Sequence, residues 1–170
     1  NMTYSEGNLK QVNGASTGNC TASTIGVSSG KWYAEFIWES STYSQIGLAI
    51  DNVNPVAYCG GSGSTSLGYF SGNGIIYFNG AGTGTTYATY AVDDVIGVAL
   101  DLDGGTVKFY KNNSLQGTFT LQSAFTSASS VHFACGEESS ANVANFGSDS
   151  SFAGNLTAQG NQDSNEIGDF

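Results

Sequence analysis

Asp101 and Asp103 stand two residues apart in "DLDGG", where an apolar run turns and returns as a second alternating run. Paired carboxylates can divide general-acid and general-base work when one of them is desolvated, and they can hold a cation when further oxygens converge. A turn between strands is wet, so neither carboxyl is set apart from the other. The D-x-D-G spacing also opens a calcium loop, but the remaining ligands are missing, including the glutamate at the twelfth position. Both aspartates therefore read as turn builders. His132 is the only histidine, and Cys135 follows three residues on. Residues three apart on a strand face opposite ways, so these two cannot work as base and nucleophile, and no G-x-S-x-G elbow supplies a serine. "GGSGSTSLG" and "NGAGTGT" carry no GK[ST] and open no helix, so neither is a phosphate loop. A glycosidase would need two carboxylates about 5–5.5 Å or 6.5–9.5 Å apart across a groove, and no strand bears such a pair. The residue types point to no catalytic residue, no metal ligand, no cofactor, and a non-enzymatic protein.

Recognition is better served. Tyr43 in "ESSTYSQ" and Tyr58 in "VAYCGG" fall in loops, and Ser62 lies in the Gly/Ser-rich stretch that follows. Tyr87 in "TTYATY" is a further candidate. Tyrosine gives flat contact area at low entropic cost, together with a hydroxyl. Glu137 and Glu138, after "HFACG", read as a solvated acidic loop or as contacts for a cationic partner. Trp32, Tyr33, Phe36 and Trp38 could stack on sugars, but their place in one alternating run assigns them to a core.

The elements that must hold these loops are strands. "KWYAEFIWE" puts Trp32, Ala34, Phe36 and Trp38 on one face and Tyr33, Glu35, Ile37 and Glu39 on the other. "QIGLAI", "GIIYFNG", "DVIGVALDL", "TVKFYKN", "GTFTL", "VHFAC" and "ANVANFG" continue the pattern, separated by Gly, Ser and Asn turns. No segment sustains a 3.6-residue stripe, so the expectation is an all-β antiparallel sandwich. "DLDGG" joins two of its neighbouring strands.

Composition narrows the partners. Of 170 residues, 39% are hydrophobic and 11% charged, against about a quarter charged in an average domain. Four Lys+Arg against 14 Asp+Glu give a net charge of −10, which excludes nucleic acid and anionic membranes as partners. No apolar run reaches the length of a membrane span. Cys20, Cys59 and Cys135 form no CxxC spacing. They read as three small buried residues, with one bridge plus a free thiol as the alternative. Sequons at Asn1, Asn19, Asn112 and Asn155 are about as many as this composition gives by chance.

The order of the pieces resembles the SPRY (B30.2-like) family over residues 30–147. "SSGKWYAEFIW" matches its glycine followed by an aromatic strand with a glutamate. "IGLAI" and "GYFSGNG" match the next two motifs, "DVIGVALDLDGGTVKFYKNN" the family hairpin, and "NFG" its last strand. Asp93 and Asn113 stand where the family usually has glycine. The resemblance implies a concanavalin-like jelly-roll sandwich over residues 1–147, and a binding role without catalysis, read out by loops at one edge. It also implies that the Glu35 carboxylate is partly buried. Residues 148–170 form an extended polar tail or linker, similar to the stretch that follows SPRY domains in bacteriophage structural proteins. The implied setting is a virion surface. There the domain binds other virion proteins and a host-surface glycan or protein, and forms a homo-oligomer within a symmetric particle. The alternative is a capsid or tail cement.

Overall fold

The computed structural model describes residues 2–14, 18–40, 43–50, 57–63, 65–136, 139, 141–163 and 165–170. Its strands are β1 (Met2–Ser5), β2 (Lys10–Asn13), β3 (Thr21–Ala22), β4 (Lys31–Ser40), β5 (Gln45–Ile50), β6 (Ser66–Phe70), β7 (Ile75–Phe78), β8 (Ala81–Thr86), β9 (Val95–Asp101), β10 (Thr106–Lys111), β11 (Ser114–Thr120), β12 (Val131–Gly136) and β13 (Ala141–Asn145). One sheet runs β1-β2-β13-β4-β9-β10-β11 and the other β3-β12-β5-β6-β7-β8. Neighbouring strands are antiparallel, as the alternating runs predict. Helix among the described residues is confined to single turns at Glu6–Asn8 and Ser123–Thr126.

The core lies between the sheets. Ala34, Phe36 and Trp38 of β4, Ile96, Val98 and Leu100 of β9, and Val107 and Phe109 of β10 meet Ile46, Leu48, Leu67, Tyr69, Ile76 and Phe133 from the other layer. Each is the every-second residue of its strand, so period two alone sorts them inward. Fully burying side chains of this size contributes about 1.5–3 kcal/mol apiece before conformational entropy is counted. Trp32 departs from the expected core. It is 48% exposed. It shares parity with Phe36 and pairs with the buried Leu100 of β9, but β13 pairs with β4 only as far as Glu35, so no β13 residue pairs with Trp32. Its indole N–H donates to the Ser29 carbonyl at 2.7 Å.

The β9–β10 hairpin is built as its residues dictate. Asp101 Oδ1 accepts the Gly104 N–H at 2.7 Å, and Asp103 Oδ1 accepts the Gly30 N–H at 2.9 Å. Lys31 Nζ sits 3.2 Å from Asp101. Both aspartates are thus engaged in local turn and strand-end contacts. The next hairpin closes on Asn112 and Asn113, with φ of 46° and 67°, between the paired Lys111 and Ser114. Two left-handed residues in a two-residue loop match the right-handed strand twist, and asparagine is the best non-glycine choice there. Asp93, the other position where glycine is expected, has φ 69°. Asp94 precedes β9, which lies inside its sheet. Burial alone would raise its carboxyl, but the Ala91 N–H, the Asn112 amide and the Lys111 ammonium hold it below its ordinary range. Asn112 donates to Asp94 at 2.6 Å and accepts the Val95 N–H at 2.9 Å, which commits the amide of that sequon to the hairpin.

The cysteines correct the first expectation and follow the alternative. Cys20 and Cys59 form a disulfide, and Cys135 is a buried thiol that burial pushes up to about 12. The reason is a covering loop. Gly47 and Gly68 face outward from the six-stranded sheet, and a Cβ on Gly68 would strike the Cys59 carbonyl. This bare strip lets residues 57–63 lie flat on the sheet, which carries Cys59 to Cys20 beside Ala49 and Ala134.

Among the described residues, the segment after Gly147 covers part of the outer face of the seven-stranded sheet. Phe152 packs on Ile37 and Val143, and the Phe170 ring meets Tyr33 edge-on at 5.2 Å. Asn145 of the "NFG" motif holds this segment. Its Oδ1 accepts the N–H groups of Gly147, Ser148 and Asp149 at 2.9, 2.9 and 3.1 Å, while Nδ2 donates to the Asp169 carbonyl at 2.7 Å. Ion pairs join Lys10 to Glu39, Lys31 to Asp101 and Lys111 to Asp94.

Candidate functional site

A groove of about 420 Å³ lies on the outside of the six-stranded sheet. Two walls make it. One is the sheet itself, where Gln45 of β5 lies directly across from Phe70 of β6, and Tyr77 of β7 lies across from Gly68. All three alternate with core residues and so point outward. The other wall is the covering loop, with Tyr58, Gly60, Gly61 and Ser62, joined at the rim by Tyr43 and Gly80.

Each aromatic has a fixed mount. Tyr43 precedes Ser44, which is fully buried. The Ser44 N–H donates to Ser71 Oγ at 2.9 Å, its carbonyl accepts from the Tyr90 hydroxyl at 2.9 Å, and its hydroxyl donates to Asn142 at 2.7 Å. The Tyr43 ring tilts against Phe70 at 5.1 Å, and Phe70 meets Tyr77 edge-on at 6.2 Å. Tyr58 rides on the disulfide-pinned loop, whose next residues are stitched down: Gly60 N–H to Ser66 Oγ at 2.7 Å, and Gly80 N–H to the Gly60 carbonyl at 2.8 Å. Gly60 has φ 85° and sits against the Tyr77 carbonyl, a close approach that only glycine allows.

At the end of the groove Gln45 is 7% exposed, and its Oε1 has no hydrogen-bond partner among the described residues. A buried amide oxygen without a donor costs about 1–3 kcal/mol. Among the described residues no charged side chain lines the groove.

The structure brings Tyr43, Tyr58 and Ser62 to this one place. Tyr87 lies elsewhere, half-buried, with its ring edge-on to Tyr69 at 6.3 Å and close over Gly117. Glu137 and Glu138 lie outside the described residues. Gln45, Phe70 and Tyr77 were not singled out by sequence. Their one signal is opposite parity to the core residues beside them.

Other constellations are structural. His132 contacts Ser130 Oγ through Nε2 at 2.8 Å and the Ser23 carbonyl through Nδ1 at 2.8 Å. That carbonyl can only accept, so Nδ1 donates, and the ring is a strut between β12 and the 23–27 segment. Neither the groove nor the smaller hollow of about 210 Å³ beside Phe152 reaches it. Among the described residues no three His, Cys, Asp or Glu side chains gather as a metal site.

Glu35 is half-buried, as the family resemblance implies, and accepts from the Tyr33 hydroxyl at 3.0 Å. Burial raises its carboxyl above the ordinary 4.5, with the hydrogen bonds from Tyr33 and Asn145 offsetting part of the effect. The folded state therefore holds this proton more tightly than the unfolded chain. Its contribution to stability is complete below the unfolded pKa and is lost as pH rises through the folded one. Glu35→Gln stays neutral and should melt higher than the wild type at pH 7, with the gap closing at pH 3.5. A gap that is equal at both pH values would show that the carboxylate charge is not the cause.

The SPRY domain family model matches residues 31–148. The crystal structure of the SPRY domain of human HERC1 superposes with a TM-score of 0.73 at 17% identity, covering 84% of this chain and 91% of that one. A second human SPRY domain gives a TM-score of 0.66 at 14% identity, covering 87% and 96%. No curated protein matches the chain. SPRY domains are in general protein–protein binding modules rather than catalysts. With two antiparallel sheets in the family's arrangement and the family model spanning most of its length, this chain belongs to the SPRY domain family.

Proposed function

We propose that this chain is a non-enzymatic recognition module displayed on the surface of a virus particle, and that the aromatic groove is where it captures a host-surface partner. The observation that carries the reading is the groove itself, where Tyr43, Tyr58, Phe70 and Tyr77 gather beside Ser62 and the close backbone of Gly60, Gly61 and Gly80. Sites of this size, mostly aromatic with a few placed polar groups, are the usual form of ligand pockets. The extracellular setting is supported by the Cys20–Cys59 bridge, which persists in oxidising surroundings, and by the resemblance of residues 148–170 to the stretch that follows SPRY domains in phage structural proteins. Copies repeated on a symmetric particle would bind tightly through many individually weak contacts.

Cementing between virion proteins would be favoured by a tail laid on a neighbour. Here Asp169 and Phe170 are tied to their own sheet through Asn145 and Tyr33. The test is competition. Excess purified chain should slow adsorption of the parent particles to host cells, and a Tyr43→Ala/Tyr58→Ala chain should not. Adsorption that proceeds equally with and without competitor would sink the proposal.

A further inference from the structure

We infer that residues 165–170 form a pH-sensitive strap, which lies closed on the outer face of β4 while the Glu35 carboxyl is protonated and loosens once Glu35 carries a charge.

The ties that hold the strap converge on one place. The Phe170 ring meets Tyr33 edge-on at 5.2 Å and lies against Gly147, where an added Cβ would come within 2.9 Å of it. The Asp169 carbonyl accepts from Asn145 Nδ2 at 2.7 Å, and the Asp169 N–H donates to the Gly147 carbonyl at 3.0 Å. Ser150 Oγ donates to the Asp169 carboxylate at 2.7 Å. Phe170 and Asn161 exchange backbone hydrogen bonds at 2.8 and 3.0 Å. Glu35 sits half-buried among these ties. It accepts from the Tyr33 hydroxyl at 3.0 Å and from Asn145 Nδ2 at 3.5 Å, so two residues of the sheet that anchor the strap are also its own partners.

Charge on Glu35 acts against this closure in two ways. A carboxylate kept from water is poorly hydrated, and lifting the strap returns water to it. The Asp169 carboxylate is near enough to repel it, and that repulsion also ends when the strap lifts. The hydrogen bonds from Tyr33 and Asn145 favour the charged form, but both donors belong to the sheet and stay when the strap leaves. Among the described residues the titratable groups facing Glu35 are Tyr33 on its own strand and Asp169 on the strap, with Tyr110 of β10 beyond Tyr33. Its pairing neighbours, Gly97 on β9 and Asn145 on β13, carry no titratable side chain. The closed strap therefore binds the Glu35 proton more tightly than the lifted one. Its added stability is complete below the carboxyl's lifted-state pKa and is lost as pH rises through the closed-state value. Asp169 works with the opposite sign: its carboxylate accepts from Ser150, so its own protonation would loosen the strap in acid.

The experiment is amide hydrogen exchange on the full chain at pH 4.5 and pH 7.5, corrected for the pH dependence of intrinsic exchange. It is read at Asp169 and Phe170, with the amides of β9 as the core reference. Protection at 169 and 170 relative to β9 should fall at least about threefold from the lower pH to the higher. Glu35→Gln is neutral at both pH values and should hold that protection constant. Asp169→Asn removes the repulsion and keeps an acceptor for Ser150, so it should shrink the fall without abolishing it. Protection that rises with pH would place the control at Asp169 and overturn the proposal. So would protection that does not change in the wild type, or a fall of the same size in Glu35→Gln.

Discussion

Replacing Cys20 and Cys59 together by alanine should lower the unfolding free energy by about 4 kcal/mol, because the bridge closes a loop of 39 residues and its removal frees that loop in the unfolded chain. For a domain of this size that corresponds to a melting temperature roughly 10 °C lower. Alanine is the right replacement, since the two sulfurs sit among Ala49 and Ala134 and a serine hydroxyl there would lack a partner. The effect should not stop at stability. Residues 57–63 lie on a strip of glycine backbone that offers few side chains to grip, so the bridge is their strongest tie. Without it Tyr58 and Ser62 leave the groove while the sheet residues Gln45, Phe70 and Tyr77 stay. Urea titrations of the oxidised wild type and the double variant, with and without reductant, check both parts. A loss under about 1 kcal/mol, or reductant that shifts the variant as much as the wild type, would show that the loop holds itself.

The second large effect is at Asn145. It is buried, and its side chain uses every hydrogen-bonding position it has, accepting from three successive N–H groups and donating twice. Asn145→Ala leaves the three N–H groups without their acceptor at a net cost of about 1 kcal/mol each, so a loss of about 3 kcal/mol is expected. Asn145→Asp separates the two halves of the role. It keeps the acceptor for Gly147, Ser148 and Asp149, but it turns the donor face into a carboxylate pointed at Glu35 and the Asp169 carbonyl. Amide exchange at residues 147–149 should therefore quicken sharply in the alanine variant and little in the aspartate one. Cleavage of residues 148–170 by a protease should accelerate in both. Unchanged exchange in the alanine variant would remove Asn145 as the clasp.

What the sequence revealed and what it hid divide along a physical line. The hairpins were legible because their determinants are local: Asp101 with Gly104, and Asn112 with Asn113, lie within three residues of each other and carry their own turn chemistry. The sandwich was legible because alternation is local too. Tyr43 and Tyr58 stood out as aromatics beside Ser- and Gly-rich loops. The disulfide did not, because a pairing across 39 residues leaves no trace in spacing; it depends on a loop crossing a sheet face whose bareness comes from Gly47 and Gly68 on different strands. Gln45, Phe70 and Tyr77 were hidden for the same reason. Parity says that they point away from Leu48, Tyr69 and Ile76, but not that a loop will come back to make their side of the sheet a groove. Trp32 shows the opposite failure, where parity was right but β13 stops at Glu35 and leaves the Trp32 side of β4 without a strand beside it.

The ion pairs carry one last consequence. With Lys10, Lys31 and Lys111 each spent on a carboxylate of the same chain, little positive charge is left to answer the excess of acids on a body whose net charge is −10. At physiological ionic strength such a field reaches about 8 Å before counter-ions quench it. Domains of this kind held side by side push one another apart in dilute buffer and settle closer as salt is added, so the spacing of a multivalent array would be tuned by its medium before any ligand arrives.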